Sequence, residues 1–481
     1  MIKYFRIFLD RYFYEIFWCF FVILGIMGVL HHDMWRDELQ AWMIVKASHS
    51  LSELSFNLRY ESHPPLWYWL LMLVQRFSSN PISMQWVHLG IASLSAWLIL
   101  KLSPFNRLQK VLLIFGYFLF YEYSLMCRSY ALGVLLIFIF CIVVTRPGRN
   151  YLFLSLILIL LALTSMMGLI MAVSLGAFLV FEFFENRSSR NEHLPQAALA
   201  ILLLIVALCF SFKSMIPPPD SGYIKSLIGV KIVKNFLFLM DGVYLPDKFS
   251  LFPLGVHRSL LIFSLFVLMA SLLFFVRKKS VLFLYLFGIL LFVSFFLNAS
   301  SYPRHAGQLF ILLIACWWVY PKISRIANWF IIVLLSIQFF LGIGTYLMCL
   351  NHQESDGKQA AGYIQIHGLD DLPMIGDAYG ASCVAGYLGE PIYYAREHRW
   401  GTFVLYNNQK EPSHRQVLES ARDFSKKFKK NTLLILTYPL SNFLLENPDY
   451  ISKVQELAIL DRSVEKFSKI YLYLYKYDKH P

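Results

Sequence analysis

Charge is scarce in this sequence. Asp, Glu, Lys and Arg make up 15% of its 481 residues, against 58% hydrophobic residues and a mean hydropathy of +0.55. Those proportions exclude a soluble globular chain and leave a polytopic membrane protein. Acidic residues are the scarcer sign, 30 against 43 Lys and Arg, for a net charge of +13. The basic excess does not point to nucleic acid. It sits mostly in short links between apolar runs, as expected of cytoplasmic loops facing anionic lipid. Cysteines are few and none forms a CxxC pair; Cys19, Cys141, Cys209, Cys316 and Cys349 fall within or at the edge of apolar runs. Neither a disulfide framework nor a structural zinc motif is indicated. No repeat of fixed period and no low-complexity tract occurs. No small-residue cleavage site follows the first apolar run, Phe17 to Leu30, which is expected to be a retained anchor.

Runs long enough to cross, or nearly cross, a bilayer fall at 14–31, 86–101, 109–124, 131–145, 151–166, 168–184, 196–213, 258–276, 280–297, 306–320 and 326–348. A further run, Leu66 to Phe77, is short and follows Pro64-Pro65. If it does not cross, the links holding Lys101, Arg107 and Lys110, then Arg146 and Arg149, Arg187 and Arg190, Arg277 to Lys279, and Lys322 and Arg325 all lie on the amino-terminal side. That side also carries Lys3, Arg6 and Arg11. The positive-inside rule therefore makes 66–77 an interfacial or re-entrant helix within a long first outer loop, 32–85. The expected fold is an α-helical polytopic membrane domain over 1–350 with about 11 transmembrane helices. A small α/β domain over 351–481 is expected to follow on the outer face. Its strands are read at 373–378, 391–395, 432–439 and 470–477, and its helices at 358–367 and 412–429. Loop 214–257 is expected to be ordered, with helix around Ile224 to Met240.

This topology gathers the chemically capable residues on one side. His31 to Pro65 opens with Asp33, Asp37 and Glu38, and acidic groups beside a bilayer are expensive unless they bind or react. If Trp35 to Val45 form a helix, Asp33 and Asp37 share one face, with Trp35, Trp42 and Met43 free to rest on lipid headgroups. Asp37 and Glu38 point about 100° apart, so one could serve as base while the other orients an acceptor or a divalent metal. Solvated loop charges, or carboxylates at a helix N-terminus, are the plainer alternative. His63, before the two prolines, could bind an anion or be structural. Arg128 in YEYSLMCRSY and Arg304 in SYPRHAG each stand at a helix end, where a guanidinium could fork onto phosphate or snorkel to headgroups. His305 and Tyr302 could add donors. His31 and His32 lack a third metal ligand at recognisable spacing, and no cofactor is required by the pattern.

Taken in order, WRDELQAW, YESHPPLWYWL, the segment Tyr123 to Tyr130 and YPRH resemble the GT-C superfamily of integral-membrane glycosyltransferases. The branch of protein O-mannosyltransferases and aminoarabinose transferases is the most similar. The resemblance implies a sugar on a polyprenyl-phosphate donor, an acceptor hydroxyl on a glycan, lipid or protein, and inversion at the anomeric carbon. It implies Asp37 as catalytic base with Glu38 beside it. Arg128 and Arg304, with His305 and Tyr302, would lie near the donor phosphate, and His63, Asp33 and Tyr130 near the substrates. Two departures stand out. Thr164 to Gly168 lacks the histidine many relatives carry between the fifth and sixth spans, and His305 replaces a frequent tyrosine. The rival reading is a transporter or flippase, which usually places ionisable groups mid-membrane in matching halves. Here the spans are nearly free of charge. A bacterial inner membrane is the expected location.

Overall fold

The computed structural model describes residues 10–185, 190–222, 257–298, 302–378, 380–463 and 469–478. Most of loop 214–257, with the helix expected near Ile224 to Met240, lies outside the described residues. The chain opens with α1 (Phe13–His31), then three short helices, α2 (Arg36–Lys46), α3 (Leu51–Asn57) and α4 (Leu66–Gln75). Next come α5 (Ile82–Leu102), α6 (Arg107–Ile114), a π-helical segment at Tyr117–Glu122, α7 (Tyr130–Val144), α8 (Tyr151–Ala162), α9 (Met166–Glu185) and α10 (Arg190–Ser214). The helical part ends with α11 (His257–Phe275), α12 (Lys279–Asn298), α13 (Pro303–Val319) and α14 (Arg325–Asn351). Every apolar run read from the sequence carries helix, the third with a break. Among the described residues, six helices are long and apolar enough to cross a membrane. Asn106, Asn150 and Ser324 start α6, α8 and α14 by accepting a backbone N–H three residues on.

The third run is not one continuous span as expected. It breaks at Gly116, whose backbone is extended, and resumes as the π-helical segment. A Cβ on Gly342 of α14 would lie 2.6 Å from the Phe115 carbonyl, so α14 reaches the break only because position 342 is glycine.

At the bundle end where α1 starts, Arg107 pairs with Asp10, Lys101 with Glu15, and Arg149 with Glu182. At the other end, α4 is about 15 Å long, half of a hydrocarbon core. Trp67, Tyr68 and Leu71 face inward from it. Trp42 and Met43 of α2 do not rest on headgroups. Both are 1% exposed, in a cluster with Trp67, Leu71, Cys127, Cys383 and Phe403. The face of α2 read as lipid-facing is covered by α4 and by the C-terminal domain.

That domain carries α15 (Gly357–Ile366), β1 (Met374–Gly376), α16 (Gly380–Leu388), β2 (Ile392–Tyr394), β3 (Arg399–Gly401), α17 (His414–Phe428), β4 (Thr432–Leu436), β5 (Val454–Leu460) and β6 (Ile470–Tyr475). The sheet order is β3-β2-β1-β4-β6-β5, with β1 parallel to β2 and β4 and the outer pairs antiparallel. Strand alternation explains why Thr432–Leu436 is buried throughout. Leu433 and Ile435 pack with Ala360 and Val384 on one face, while Leu434 and Leu436 pack with Val417 and Leu418 on the other.

The seam between the two parts is close-packed and polar by turns. A Cβ on Gly386 would stand 2.9 Å from the Leu39 Cβ, so α16 lies directly on α2. The Gln40 amide bonds the Val404 backbone both ways, donating to its carbonyl at 2.6 Å and accepting from its N–H at 3.1 Å. Tyr60 donates to Asp220 at 2.6 Å, and the Gly222 N–H donates to the Tyr406 carbonyl at 2.9 Å. These bonds hold the Val404–Asn408 loop over the first interhelical segment.

Candidate active site

The segment His32 to Trp35 is extended, and helix starts at Arg36. Glu38 fixes that start. Its carboxylate accepts the Trp35 N–H at 3.1 Å, the Cys127 N–H at 2.6 Å and the His32 Nε2 proton at 3.0 Å, and it is fully buried. Burial disfavours a charged His32, but the Glu38 carboxylate wins and holds its pKa well above the ordinary value. Glu38 thus ties the end of α1 and the segment bearing Arg128 to the first turn of α2.

One residue earlier, Asp37 faces an opening, with 15% of its side chain exposed. Three guanidinium groups converge on it. Arg36 reaches Oδ1 at 3.1 Å, while Arg128 and Arg304 reach Oδ2 at 3.2 and 3.4 Å. Arg128 also donates to the Asp37 carbonyl at 2.9 Å, and Arg304 lies over the rings of Tyr302 and Trp35. Burial would raise the Asp37 pKa, but Arg36, Arg128 and Arg304 override it and hold the carboxyl well below the usual range. Three cations against one carboxylate leave a local charge of +2.

A small cleft of about 40 Å³ opens beside this cluster, bounded by Asp37, Gln40, Glu61, His63, Trp67, Tyr68, Arg128, Ser129 and Tyr406. Glu61 and His63 flank Ser62, a non-glycine residue in the left-handed region at φ +52°. That turn, followed by Pro64 and Pro65, places both side chains on the cleft. Burial pushes Glu61 up to about 7, against the opposing bond from Gln40 Nε2 at 2.8 Å. Burial, reinforced by Arg128, lowers His63 to about 4, so its ring is neutral at physiological pH.

Of the residues singled out in the sequence, Asp37, Arg128 and Arg304 meet, and His63 lines the same cleft. Others stand apart from it. Glu38 is enclosed behind the helix start. Asp33 precedes α2, does not share a helical face with Asp37, and pairs with Lys358 at 2.9 Å. Tyr130 and His305 bond each other at 2.8 Å, and Tyr302 stacks under Arg304. Sequence reasoning missed Arg36, Gln40, Glu61 and Tyr406. Gln40 follows Asp37 by three, the helical spacing that puts both on one face, and Glu61 stands in the YESHPP segment itself. For Tyr406 the sequence offers no signal.

No family profile and no curated protein matches the chain. Among solved structures, ArnT from Cupriavidus metallidurans, crystallised with undecaprenyl phosphate, superposes with a TM-score of 0.51. The alignment covers 95% of this chain and 97% of that one at 11% identity. The shared architecture runs from α1 through the C-terminal sheet, and this chain is a polytopic membrane protein with the fold of that structure.

Proposed function

We propose that the protein is a glycosyltransferase that moves a sugar from a polyprenyl-phosphate donor to a hydroxyl acceptor at the outer face of the membrane, Asp37 acting as base. The observation that carries this reading is the convergence of Arg36, Arg128 and Arg304 on one carboxylate at the mouth of a cleft. A cluster of charge +2 at a bundle end suits a lipid-borne phosphodiester, and ArnT, of the same fold, holds such a lipid phosphate.

In the proposed reaction the acceptor oxygen attacks the anomeric carbon as the bond from that carbon to the phosphate oxygen breaks. The departing polyprenyl phosphate takes the bonding pair and is held by the arginines, whose charge counts for more in a low-dielectric cleft. The hydroxyl proton passes to Asp37. Without donor, Asp37 is a poor base because three cations hold its proton affinity down. A bound phosphodiester draws Arg128 and Arg304 onto itself and restores that affinity, so basicity appears when the substrate does. Glu61, whose pKa lies near neutrality, orients the acceptor hydroxyl across the cleft.

The test is turnover of a panel of radiolabelled polyprenyl-phosphate sugars by purified protein in detergent, wild type beside Asp37→Asn. The wild type should consume one donor, and the variant, equally folded, should lose about 10²–10⁴-fold in rate. If no donor is consumed while labelled donor crosses the bilayer of proteoliposomes, the protein is a transporter instead.

A further inference from the structure

We propose that His32, Cys349 and Glu354 form a buried site for a zinc-class divalent transition-metal ion, behind the helix start that carries Asp37. The three residues come from the end of α1, the last turn of α14 and the entry to the C-terminal domain. They are 3%, 2% and 3% exposed, and one donor atom from each lies within 4.8 Å of the others. Tetrahedral zinc with bonds of 2.0–2.3 Å needs ligand atoms about 3.3–3.8 Å apart, so closure by no more than about 1.5 Å completes the cage.

Two features point to a metal rather than to chance proximity. His32 Nε2 is committed to Glu38, at 3.0 Å, while its Nδ1, also buried, makes no conventional hydrogen bond and meets only the Cys349 thiol. A carboxylate holding one ring nitrogen so that the other faces a ligand pocket is the usual support of a metal-bound imidazole. Glu354 is steadied in the same way, its Oε1 accepting the Tyr121 hydroxyl proton. The donor set then selects the ion. A thiolate beside an imidazole favours zinc and similar borderline ions over magnesium or calcium. One thiolate and one carboxylate also neutralise a dication, so the three ligands and the ion together carry no net charge. A water or the second Glu354 oxygen fills the fourth position. The ion would fix His32, hence Glu38, hence the Trp35 and Cys127 backbone on either side of Asp37 and Arg128, which makes these ligands positioning residues.

The experiment uses the full chain purified without a polyhistidine tag, incubated with zinc, desalted and assayed for metal by mass spectrometry. Wild type and a Cys316→Ser control should hold about one ion per chain, and Cys349→Ser and His32→Ala less than about a tenth of that. Wild type loaded with cobalt should show a thiolate-to-metal charge-transfer band in the near ultraviolet, a reading that needs no variant. Absence of that band overturns the proposal, as does a wild type that holds no zinc or a Cys349→Ser protein that keeps the wild-type content.

Discussion

Replacing Glu61 with Gln should stabilise the protein and impair it together, with the stabilisation dependent on pH. Glu61 is 6% exposed, and its pKa stands at about 7 instead of 4.5 because burial penalises the carboxylate more than the bond from Gln40 favours it. Each pH unit of that difference is worth about 1.4 kcal/mol, so the ionised carboxylate costs the folded state about 3 kcal/mol. The sign follows from proton counting. Between pH 4.5 and 7 the folded protein holds the Glu61 proton more tightly than the unfolded chain does, so stability falls as pH rises through that window and is level above it. Glutamine has the same shape, keeps an oxygen for Gln40 and never ionises. Unfolding of both proteins in detergent should therefore nearly coincide at about pH 4.5, with Glu61→Gln the more stable by up to about 3 kcal/mol at about pH 8. The rate profile should respond too. Wild-type kcat/KM should decline as pH falls through about 7, and this limb should vanish in the variant along with most of the activity. A stability gain of equal size at both pH values would refute the burial argument, and unchanged turnover would remove Glu61 from the reaction.

Arg128→Lys keeps the charge but loses the planar guanidinium whose Nη1 meets both the Asp37 carbonyl and its carboxylate. Donor titrations should show kcat/KM reduced about 10–100-fold, and full activity would mean that charge alone suffices. Gln40→Leu removes two bonds to Val404 and one to Glu61. It should lower the unfolding midpoint by the equivalent of about 1–3 kcal/mol and move the acid limb of the rate profile upward, since the bond that lowers the Glu61 pKa is gone.

The spans were legible because apolar runs must be helical when no water can satisfy the backbone. The inner strands were legible because Thr432–Leu436 and Ile470–Tyr475 are continuous apolar runs of strand length. The outer strands were not, since β3 is three residues long and Val454–Leu460 buries only its first residue fully. The break at Gly116 was illegible because the helix packed against it touches it through Gly342, more than two hundred positions away in the chain. Trp42 and Met43 show the same limit in another form. An apolar helix face reads alike whether lipid or a protein domain covers it, and only the fold places Cys383 and Phe403 there.

The site divides along the same line. Charge topology alone sent the segments of Asp37, Arg128 and Arg304 to one end of the bundle, because a rule about loops acts on whole segments. It cannot say which of two neighbouring carboxylates turns outward. Asp37 and Glu38 are adjacent on one helix turn, yet one meets three guanidinium groups at an opening and the other is enclosed by His32, Trp35 and Cys127. Their separation is set by the 100° step of the helix together with the direction from which α1 arrives, and only the first of these is written in the local sequence. The second carboxylate of the cleft, Glu61, comes from the strained turn at Ser62 rather than from the acidic pair.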